Sequence, residues 1–235
     1  MKLQSVSLKQ DNGTQQRILD AAEKLFMERG FAATSMRMIT SKAKVNLAAV
    51  NYHFGSKEEL IKQVLSRRLG PLNRERIAHL DALEQAAAGK PLTPEQILEA
   101  YLSSALHLGR DPLQGGAKFL RLLGRVFAEP PGYMRASLSE HYRGVVRRFK
   151  TALARALPHL SEKELVWRMH FMFGVIAHTM AGNDALQLIS HYAPEDSKSA
   201  EAVIRHLMTF LVAGLKAPLQ QLRVVRKAER IRRRA

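Results

Sequence analysis

The chain of 235 residues contains no cysteine and only one tryptophan. The absence of cysteine excludes disulfide bonds, thiolate catalysis and the cysteine-ligated types of zinc and iron–sulfur site. Long apolar runs are also absent, because no stretch approaches the roughly 20 residues needed to span a bilayer. Residues 1–13 are polar and lack the apolar centre of a signal peptide. We therefore expect a cytoplasmic protein without a membrane span.

The sequence also lacks the motifs of common enzyme classes. It has no Gly-rich phosphate loop, no His-Glu-x-x-His and no Gly-x-Ser-x-Gly, and its nine histidines show no spacing typical of metal ligands. These absences predict a protein that is not an enzyme and that holds no metal ion or other cofactor.

Positive charge is abundant and unevenly distributed, with a formal net charge of +16. Residues 1–57 carry nine Lys or Arg against four Asp or Glu, and residues 216–235 carry eight against one. Charge concentrated at the two ends is typical of a protein that binds a polyanion. The basic C-terminal end can lie on a membrane surface, lie on nucleic acid or simply be solvated, and of these we favour added non-specific affinity for DNA.

Residues 34–57 have the pattern of two short helices joined by a tight turn. Ser35 can cap the first helix and Asn46 the second. In the second helix Leu47, Val50 and Phe54 recur at helical spacing and are predicted to point inward. The outer face is left with small residues and with amide, phenol and imidazole groups, which suit contacts to base edges and phosphates. This pattern predicts a helix-turn-helix.

Several runs between residues 14 and 64 carry a resemblance to a known family. They are Arg17-Ile18-Leu19-Asp20-Ala21-Ala22, Arg29-Gly30-Phe31, Thr34-Ser35 and Tyr52-His53-Phe54-Gly55-Ser56-Lys57-Glu58-Glu59-Leu60. With these runs the segment resembles the N-terminal DNA-binding domain of the TetR family of transcriptional regulators. Two positions depart from the family pattern, since Lys44 stands where the family usually has glycine and Asn51 where it usually has an aromatic residue.

The resemblance implies that the second helix enters the major groove of double-stranded DNA. The predicted DNA-binding residues are Thr34, Ser35, Arg37, Lys44, Asn46, Leu47, Ala48, Asn51, Tyr52, His53 and Lys57. Those implied as phosphate contacts are Thr34, Tyr52, His53 and Lys57.

We predict an all-α fold in which an N-terminal helix-turn-helix DNA-binding domain is followed by a helical bundle for ligand binding and dimerisation. Residues 1–13 show no periodicity and are predicted to be disordered. The DNA-binding domain spans residues 14–70, because Gly70 and Pro71 should end or sharply bend its last helix. The bundle spans residues 71–216, and a basic tail spans residues 217–235.

Two segments of the bundle, residues 166–180 and 203–215, are apolar on most sides of the helix. Such helices need cover on most sides, which a second copy of the chain or the same protomer can provide. The TetR resemblance favours a homodimer, whose paired reading helices match a palindromic operator. The predicted dimer interface comprises Phe171, Val175, His178, Ile204, Leu207, Met208 and Leu211.

Apolar residues on three successive helices of the bundle predict a ligand cavity beside the core. The predicted pocket residues are Leu102, Leu106, Phe119, Arg121, Leu122, Arg125, Val126, Tyr142, Val146, Phe149, Met169 and Phe173. The candidate polar anchors are His107, Arg121, Arg125, His170 and His178. An inward arginine would favour a carboxylate or phosphate, although an arginine on an amphipathic helix usually faces solvent.

The reading-helix segment and the sequence from Gly70-Pro71-Leu72 onward resemble the PsrA-type branch of the TetR family, whose members respond to long-chain fatty acids. This resemblance implies a dimeric repressor that a fatty acid or acyl-CoA releases from operator DNA, and that controls genes of fatty-acid metabolism. A regulator of an efflux pump that responds to drug-like ligands is the main alternative. A basic DNA-binding protein without a ligand is a further one.

Overall fold

The computed structural model describes residues 2–110, 116–128, 130–182 and 199–219. All regular secondary structure in these ranges is helical, which confirms the predicted all-α fold. The helices are α1 (Lys2–Arg29), α2 (Met36–Ala43), α3 (Leu47–Phe54), α4 (Lys57–Ala86), α5 (Pro94–Arg110), α6 (Gly116–Ala128), α7 (Gly132–Ala156), α8 (Glu162–Ala181) and α9 (Ala200–Lys216). Within the same ranges, no helix combines the length and apolar character that crossing a bilayer requires.

Local capping interactions define where several helices begin. The side-chain oxygens of Ser35, Asn46 and Ser56 each accept a hydrogen bond from the backbone N–H three residues further on, at 3.2, 2.8 and 3.0 Å. Thr93 and Ser161 do the same at 3.4 and 3.2 Å. Each of these bonds satisfies a backbone donor that the first turn of a helix leaves unpaired.

The two ends of the chain differ from the prediction or lie partly outside the described residues. Helix α1 begins at Lys2, so residues 2–13 are helical and the prediction of a disordered N-terminus is wrong. This run holds no proline and only one glycine, Gly13, and its lysine, leucine and glutamine residues favour helix. At the other end α9 stops at Lys216. The predicted basic tail falls mostly on residues 220–235, outside the described ranges.

Helix α4 runs without interruption through Gly70 and Pro71 to Ala86, so the predicted end of the helix at this point is wrong. A proline inside a helix costs about 3 kcal/mol, because it removes one hydrogen bond and crowds the preceding turn. Apolar burial on both sides offsets this cost, since Leu69 and Leu72 are almost completely buried. The long helix therefore joins the N-terminal helices to the bundle.

The hydrophobic cores of the two predicted domains are not separated at residue 70. One buried cluster joins side chains of α1 to α4 with Phe119, Leu122 and Leu123 of α6 and with Met134 and Leu138 of α7. A second cluster fills the bundle between the later part of α4 and helices α5, α7, α8 and α9. Helix α4 contributes to both clusters, so the helix-turn-helix is supported directly by the bundle.

Candidate functional site

The helix-turn-helix is formed by α2, α3 and the short turn between them. Lys44 ends α2 in the left-handed conformation, with φ 54° and ψ 50°. Its backbone N–H donates to the carbonyl of Ser41. A non-glycine residue in this conformation costs roughly 1–2 kcal/mol. Lys44 nevertheless adopts the left-handed conformation for which the family usually has glycine. Asn46 then caps α3.

Helix α3 has a buried face and an exposed face. Val50 and Phe54 are buried in the first cluster. Tyr52 is 80% exposed, and Asn51 and Ala48 are exposed beside it. Leu47 was predicted to point inward but is 45% exposed. It lies in the first turn of α3, three residues before Val50, where the buried part of the helix begins. The exposed face thus presents an amide, a phenol and small apolar groups to solvent.

Most of the other residues predicted to bind DNA are exposed or half-buried. Ser35, Arg37 and Lys44 are exposed on α2 and in the turn. His53 is half-buried, with its ring centroid 5.2 Å from that of Tyr52 in an edge-on arrangement. Two cations, one on α2 and one in the turn, are therefore accessible to solvent.

Thr34 does not have the position that the sequence predicts. Its side chain is only 1% exposed. The hydroxyl donates to the carbonyl of Gly30 at 2.7 Å and lies 3.3 Å from that of Leu25. The side chain therefore holds the loop after α1, and its burial contradicts the predicted phosphate contact.

Lys57 also turns inward rather than toward solvent. Its Nζ atom donates to the carbonyls of Phe31 and Thr34, both at 2.7 Å, and lies 4.1 Å from the centre of the Phe31 ring. These contacts tie the start of α4 to the loop before α2. They use two of the three ammonium donors, so the predicted role of this side chain as a phosphate contact is replaced by a supporting role.

A cavity of about 440 Å³ lies in the bundle between α4, α5, α6, α7 and α8. This volume falls within the roughly 300–1,000 Å³ typical of small-molecule sites. Its walls are mainly apolar and aromatic. The lining residues are Arg76, Tyr101, Leu123, Phe127, Ala128, Tyr142, Val146, His170, Phe173, Gly174, Ile176, Ala177 and Met180.

The predicted pocket residues are placed in three different environments. Tyr142, Val146 and Phe173 line the cavity, as does the candidate anchor His170. The predicted residues that belong to the buried cores instead are Leu102, Phe119, Leu122, Phe149 and Met169. Those that lie away from the cavity walls, half-buried or exposed, are Leu106, Arg121, Arg125 and Val126. The helical spacing identified the apolar faces but did not separate cavity wall from core.

Arg76 is a charged residue of the cavity wall whose position there was not predicted from the sequence. It lies on α4 and is 1% exposed. Its Nε donates to the carbonyl of Tyr101 at 3.1 Å, and its Nη1 lies 3.2 Å from Asn73 Oδ1 and 3.5 Å from the Tyr142 hydroxyl. A signal was present, because Leu69, Asn73, Arg76 and Leu80 share one helical face. It was overlooked because α4 was predicted to end before this residue.

The buried phenols of the cavity are held in their neutral form. Burial raises the pKa of Tyr142, and the nearby Tyr101 raises it further. Burial likewise raises the pKa of Tyr101, although the charge of Arg76 opposes this shift. The Tyr142 hydroxyl therefore keeps its proton at neutral pH and remains a hydrogen-bond donor.

A second, more open cleft of about 540 Å³ lies between α1, α4 and α5, and its charged groups largely pair with one another. Arg67 Nη1 lies 2.7 Å from Asp20 Oδ1, and the same guanidinium also pairs with Glu23. His107 Nδ1 lies 3.0 Å from Glu75 Oε1. These pairings leave fewer groups to bind a ligand, so the smaller apolar cavity is the better candidate site.

Helices α8 and α9 expose large apolar side chains at the surface of the bundle. Phe171 is 61% exposed and Phe210 is 63% exposed. Trp167 is half exposed and stacks on Phe171, with 5.9 Å between ring centroids. Adjacent exposed aromatic groups such as these indicate an interaction surface.

The predicted dimer interface is only partly exposed. Phe171 and His178 are exposed, and Val175, Ile204 and Met208 are half-buried. Leu207 and Leu211 are buried in the second cluster of the same protomer, so their prediction as interface residues is wrong. They lie on the side of α9 that packs inward, whereas Phe210 lies on the outer side. The exposure of Trp167 and Phe210 was not predicted, because a helix that is apolar on most sides does not reveal which side faces out.

Comparison with known families identifies both parts of the chain. The family described as "Bacterial regulatory proteins, tetR family" matches residues 18–64. The family described as "Tetracyclin repressor-like, C-terminal domain" matches residues 99–214. The two matches together cover well over half of the sequence and include α3, most of the cavity wall and helices α8 and α9.

Individual relatives match this chain over only part of its length. The HTH-type transcriptional repressor Rv3405c of Mycobacterium tuberculosis (strain ATCC 25618 / H37Rv) is 54% identical over 48 residues, which are 20% of this chain and 26% of the relative. The uncharacterized HTH-type transcriptional regulator YerO of Bacillus subtilis (strain 168) is 30% identical over 101 residues, 43% of this chain and 32% of the relative. The matches thus span about a quarter to a third of these relatives.

Several solved structures share the fold over most of the chain. The fatty acid degradation regulator FadR from Bacillus halodurans has a TM-score of 0.60 at 14% identity, over 86% of this chain and 96% of that one. FadR from Bacillus subtilis in complex with stearoyl-CoA has a TM-score of 0.58 at 15% identity, over 85% and 98%. A SmeT–triclosan complex has a TM-score of 0.55 at 19% identity, over 84% and 90%. At such identities the likeness establishes the fold alone.

Proposed function

Because this chain belongs to the TetR family of transcriptional regulators, we propose that it is a repressor that binds palindromic operator DNA as a homodimer. In this proposal a hydrophobic effector, a long-chain fatty acid or its coenzyme A ester, occupies the cavity and releases the DNA. The genes under control would be those of fatty-acid metabolism, and the protein would act in the cytoplasm. Membership of a regulator family agrees with the prediction that the chain is not an enzyme.

The exposed face of α3 is the observation that carries the DNA-binding proposal. Leu47 and Ala48 lie exposed at the start of the helix, where a reading helix enters the major groove, and Asn51 is exposed about one turn further on. Asn46 uses its side-chain oxygen to cap α3, which leaves its amide N–H groups free to face base acceptors. Asn51 has the amide that pairs with adenine in a bidentate manner.

Charge and exposure around α3 suit contacts to the phosphate backbone. Arg37 is exposed on α2, Lys44 is exposed at the end of that helix, and the phenol of Tyr52 projects into solvent. Such contacts attract any DNA sequence and fix the position of the protein on the duplex. Sequence preference would then arise from the residues at the start of α3.

The exposed aromatic residues of α8 and α9 suit a contact with a second copy of the chain. Trp167, Phe171 and Phe210 are of the types enriched at the centres of protein interfaces. A twofold dimer would pair this surface with itself and place two α3 helices on one face of DNA. The predicted interface is thus retained for Phe171 and His178 and extended to Trp167 and Phe210.

The cavity supports a hydrophobic effector of modest size. Its apolar walls suit an acyl chain, and proteins with this fold include one solved with stearoyl-CoA. The rings of Tyr101, Phe127, Tyr142 and Phe173 also suit a planar aromatic compound. This observation favours, as a second candidate, an efflux-pump regulator that responds to drug-like molecules.

Helix α4 supplies a physical connection between effector and DNA. It begins directly after the helix-turn-helix, and at Arg76 it lines the cavity. An effector that prefers a shifted position of α4 would change the separation of the two α3 helices in a dimer. Such a ligand releases DNA only to the extent that it binds the DNA-incompetent state more tightly.

A mobility-shift assay on the DNA upstream of the chain's own gene tests this proposal. We expect a shifted band that unlabelled specific DNA removes and that oleate or oleoyl-CoA abolishes, while triclosan has little effect. Release by triclosan but not by either lipid would favour the efflux regulator. A shift that no ligand changes and that any DNA removes equally would contradict the proposal.

Replacing residues at the start of α3 is expected to change sequence preference. Leu47→Ala and Asn46→Ser should alter discrimination at individual base pairs by about five-fold or more, because a base contact contributes roughly 1–3 kcal/mol. Serine preserves the helix cap, so Asn46→Ser isolates the amide. The measurement is selection of preferred half-sites from a randomised DNA library.

Tyr52→Phe is the matched control for these two variants. It removes only the hydroxyl and should weaken binding to all sequences by about three- to ten-fold, as expected for one lost hydrogen bond. If Leu47→Ala and Asn46→Ser also weakened binding uniformly, α3 would not read bases through its N-terminal residues.

A further inference from the structure

Arg76 is a buried cation for which the described residues supply no counter-charge. None of the ion pairs formed in the described ranges includes its guanidinium, although it is almost fully enclosed. Arginine remains protonated in proteins, and an unpaired buried charge strongly destabilises a folded chain. By contrast, buried Glu23 is paired with Arg67 and Arg68. A buried cation without such a partner indicates that an anion is brought from outside.

The hydrogen bonds of Arg76 leave one side of the guanidinium open. Nε and Nη1 are directed to the Tyr101 carbonyl, Asn73 and the Tyr142 hydroxyl. Nη2 has no acceptor among the described residues. No fully enclosed side-chain nitrogen or oxygen in those residues lacks a hydrogen-bond partner. Since Arg76 lines the cavity, Nη2 must open onto it.

The guanidinium is held firmly in this position. Its central carbon lies 3.9 Å from the centre of the Tyr101 ring, as in a cation–π contact. The Tyr142 hydroxyl, which keeps its proton, lies 3.5 Å from Nη1 on the cavity wall. One charged donor and one neutral donor are thus preorganised side by side on the wall of a mainly apolar cavity.

We infer that the effector carries a free carboxylate, which accepts hydrogen bonds from Arg76 Nη2 and from the Tyr142 hydroxyl while its apolar tail lies along the cavity. This inference rests on the proposed effector site and adds the chemistry of the head group. A carboxylate supplies the missing negative charge and can accept hydrogen bonds from the Arg76 guanidinium and the Tyr142 hydroxyl at the same time. In a site shielded from water the attraction between this carboxylate and the guanidinium is much stronger than at the protein surface.

A coenzyme A thioester fits these groups less well. Its carbonyl oxygen is uncharged, so Arg76 would remain without a counter-ion. The phosphates and nucleotide would also need space that a cavity of about 440 Å³, already occupied by an acyl chain, does not provide. The structure therefore favours the free acid over the ester. The family resemblance alone does not distinguish between these two effectors.

Calorimetric titration of the full chain with dodecanoate, dodecanol and dodecanoyl-CoA tests the inference. These probes share one tail and differ in head group. Dodecanoate is expected to bind the wild type at least about ten-fold more tightly than either of the others. Arg76→Met should weaken dodecanoate binding by about 10- to 100-fold, the range for a hydrogen-bonded charge, and leave dodecanol binding nearly unchanged.

Arg125→Met is the matched control, because Arg125 is exposed on α6 and does not line the cavity. It should bind all three probes as the wild type does. If Arg76→Met fails to fold, Tyr142→Phe removes the second donor while keeping the ring, and it should weaken dodecanoate binding by about three- to ten-fold without affecting dodecanol.

The possible negative results distinguish an error about the head group of the effector from an error about the effector site itself. Equal binding of dodecanoate and dodecanol, or tighter binding of dodecanoyl-CoA, would overturn the carboxylate inference and leave a hydrophobic effector site standing. A loss of both dodecanoate and dodecanol binding in Tyr142→Phe would also overturn it. Failure of all three probes to bind a wild-type chain that still recognises its operator would overturn the lipid-effector proposal together with the inference.

Discussion

The Phe171→Glu variant is expected to stay monomeric at concentrations at which the proposed dimer of the wild type forms, and to bind operator DNA at least about 100-fold more weakly. Phe171 is 61% exposed on the surface proposed for self-association, and a twofold contact would bury both copies of the new carboxylate. An uncompensated buried charge costs about 3 kcal/mol or more, which corresponds to about 100-fold in affinity. Analytical ultracentrifugation and a mobility-shift titration measure the two effects.

Ala82→Glu is the control for this variant. It places the same charge at an exposed position of α4, away from α8 and α9, and should leave both dimerisation and DNA binding close to those of the wild type. Thermal unfolding should give similar curves for both variants, since neither position is buried in the protomer. A Phe171→Glu protein that remained dimeric would show that another surface joins the two copies.

Gly124→Ala is expected to lower the free energy of unfolding by about 3 kcal/mol or more. Gly124 lies where α6 crosses α8, and a Cβ atom added there would be 2.3 Å from the backbone nitrogen of Ala181 and 2.8 Å from the carbonyl oxygen of Ala177. Backbone atoms cannot move aside as the end of a flexible side chain can, so the two helices must separate. Overpacking of this kind typically costs about 1–3 kcal/mol and sometimes more. Urea unfolding measures the change.

Gly144→Ala makes the same chemical change at a position on α7 where no atom lies within 4 Å of the added Cβ. It should raise the free energy of unfolding by about 0.5–1 kcal/mol, because alanine favours helix more than glycine does. Equal effects at the two positions would show that helix propensity, rather than the close approach of α6 and α8, determines the outcome.

The beginnings of helices could be predicted from the sequence, because capping is local. Ser35 and Asn46 act as caps where the sequence predicts it, and Ser56, Thr93 and Ser161 cap their helices through the same local bond. Each bond joins residues three apart, so it does not depend on the rest of the fold. The outer position of Tyr52 follows from helical periodicity in the same way.

The continuation of α4 could not be predicted from its own residues. Gly70 and Pro71 both disfavour helix, and locally they predict a break. The helix continues because Leu69 and Leu72 are buried by residues distant in sequence. Tertiary packing thus overrides the local preference, and the error also hid Arg76, which lies beyond the expected end.

The direction of long side chains was the least predictable part of the candidate site. Lys57 and Arg76 turn inward, whereas Arg121 and Arg125 remain exposed, although all are basic residues on helices. The difference depends on which carbonyls and rings other segments place nearby, such as the Phe31 carbonyl beside Lys57. Residue type and spacing do not contain this information.

The shared core of the head and the bundle limits how this protein can be combined with its relatives. Phe119 and Leu123 of α6 and Met134 of α7 belong to the same buried cluster as the core side chains of α1 to α4. In a chimaera that joins the first seventy residues of another regulator to the bundle of this protein, the core side chains of the two parts would therefore not pack together correctly. Engineers who exchange operator specificity will have to transplant these three contacts together with the head, or confine the exchange to the outer residues of α3.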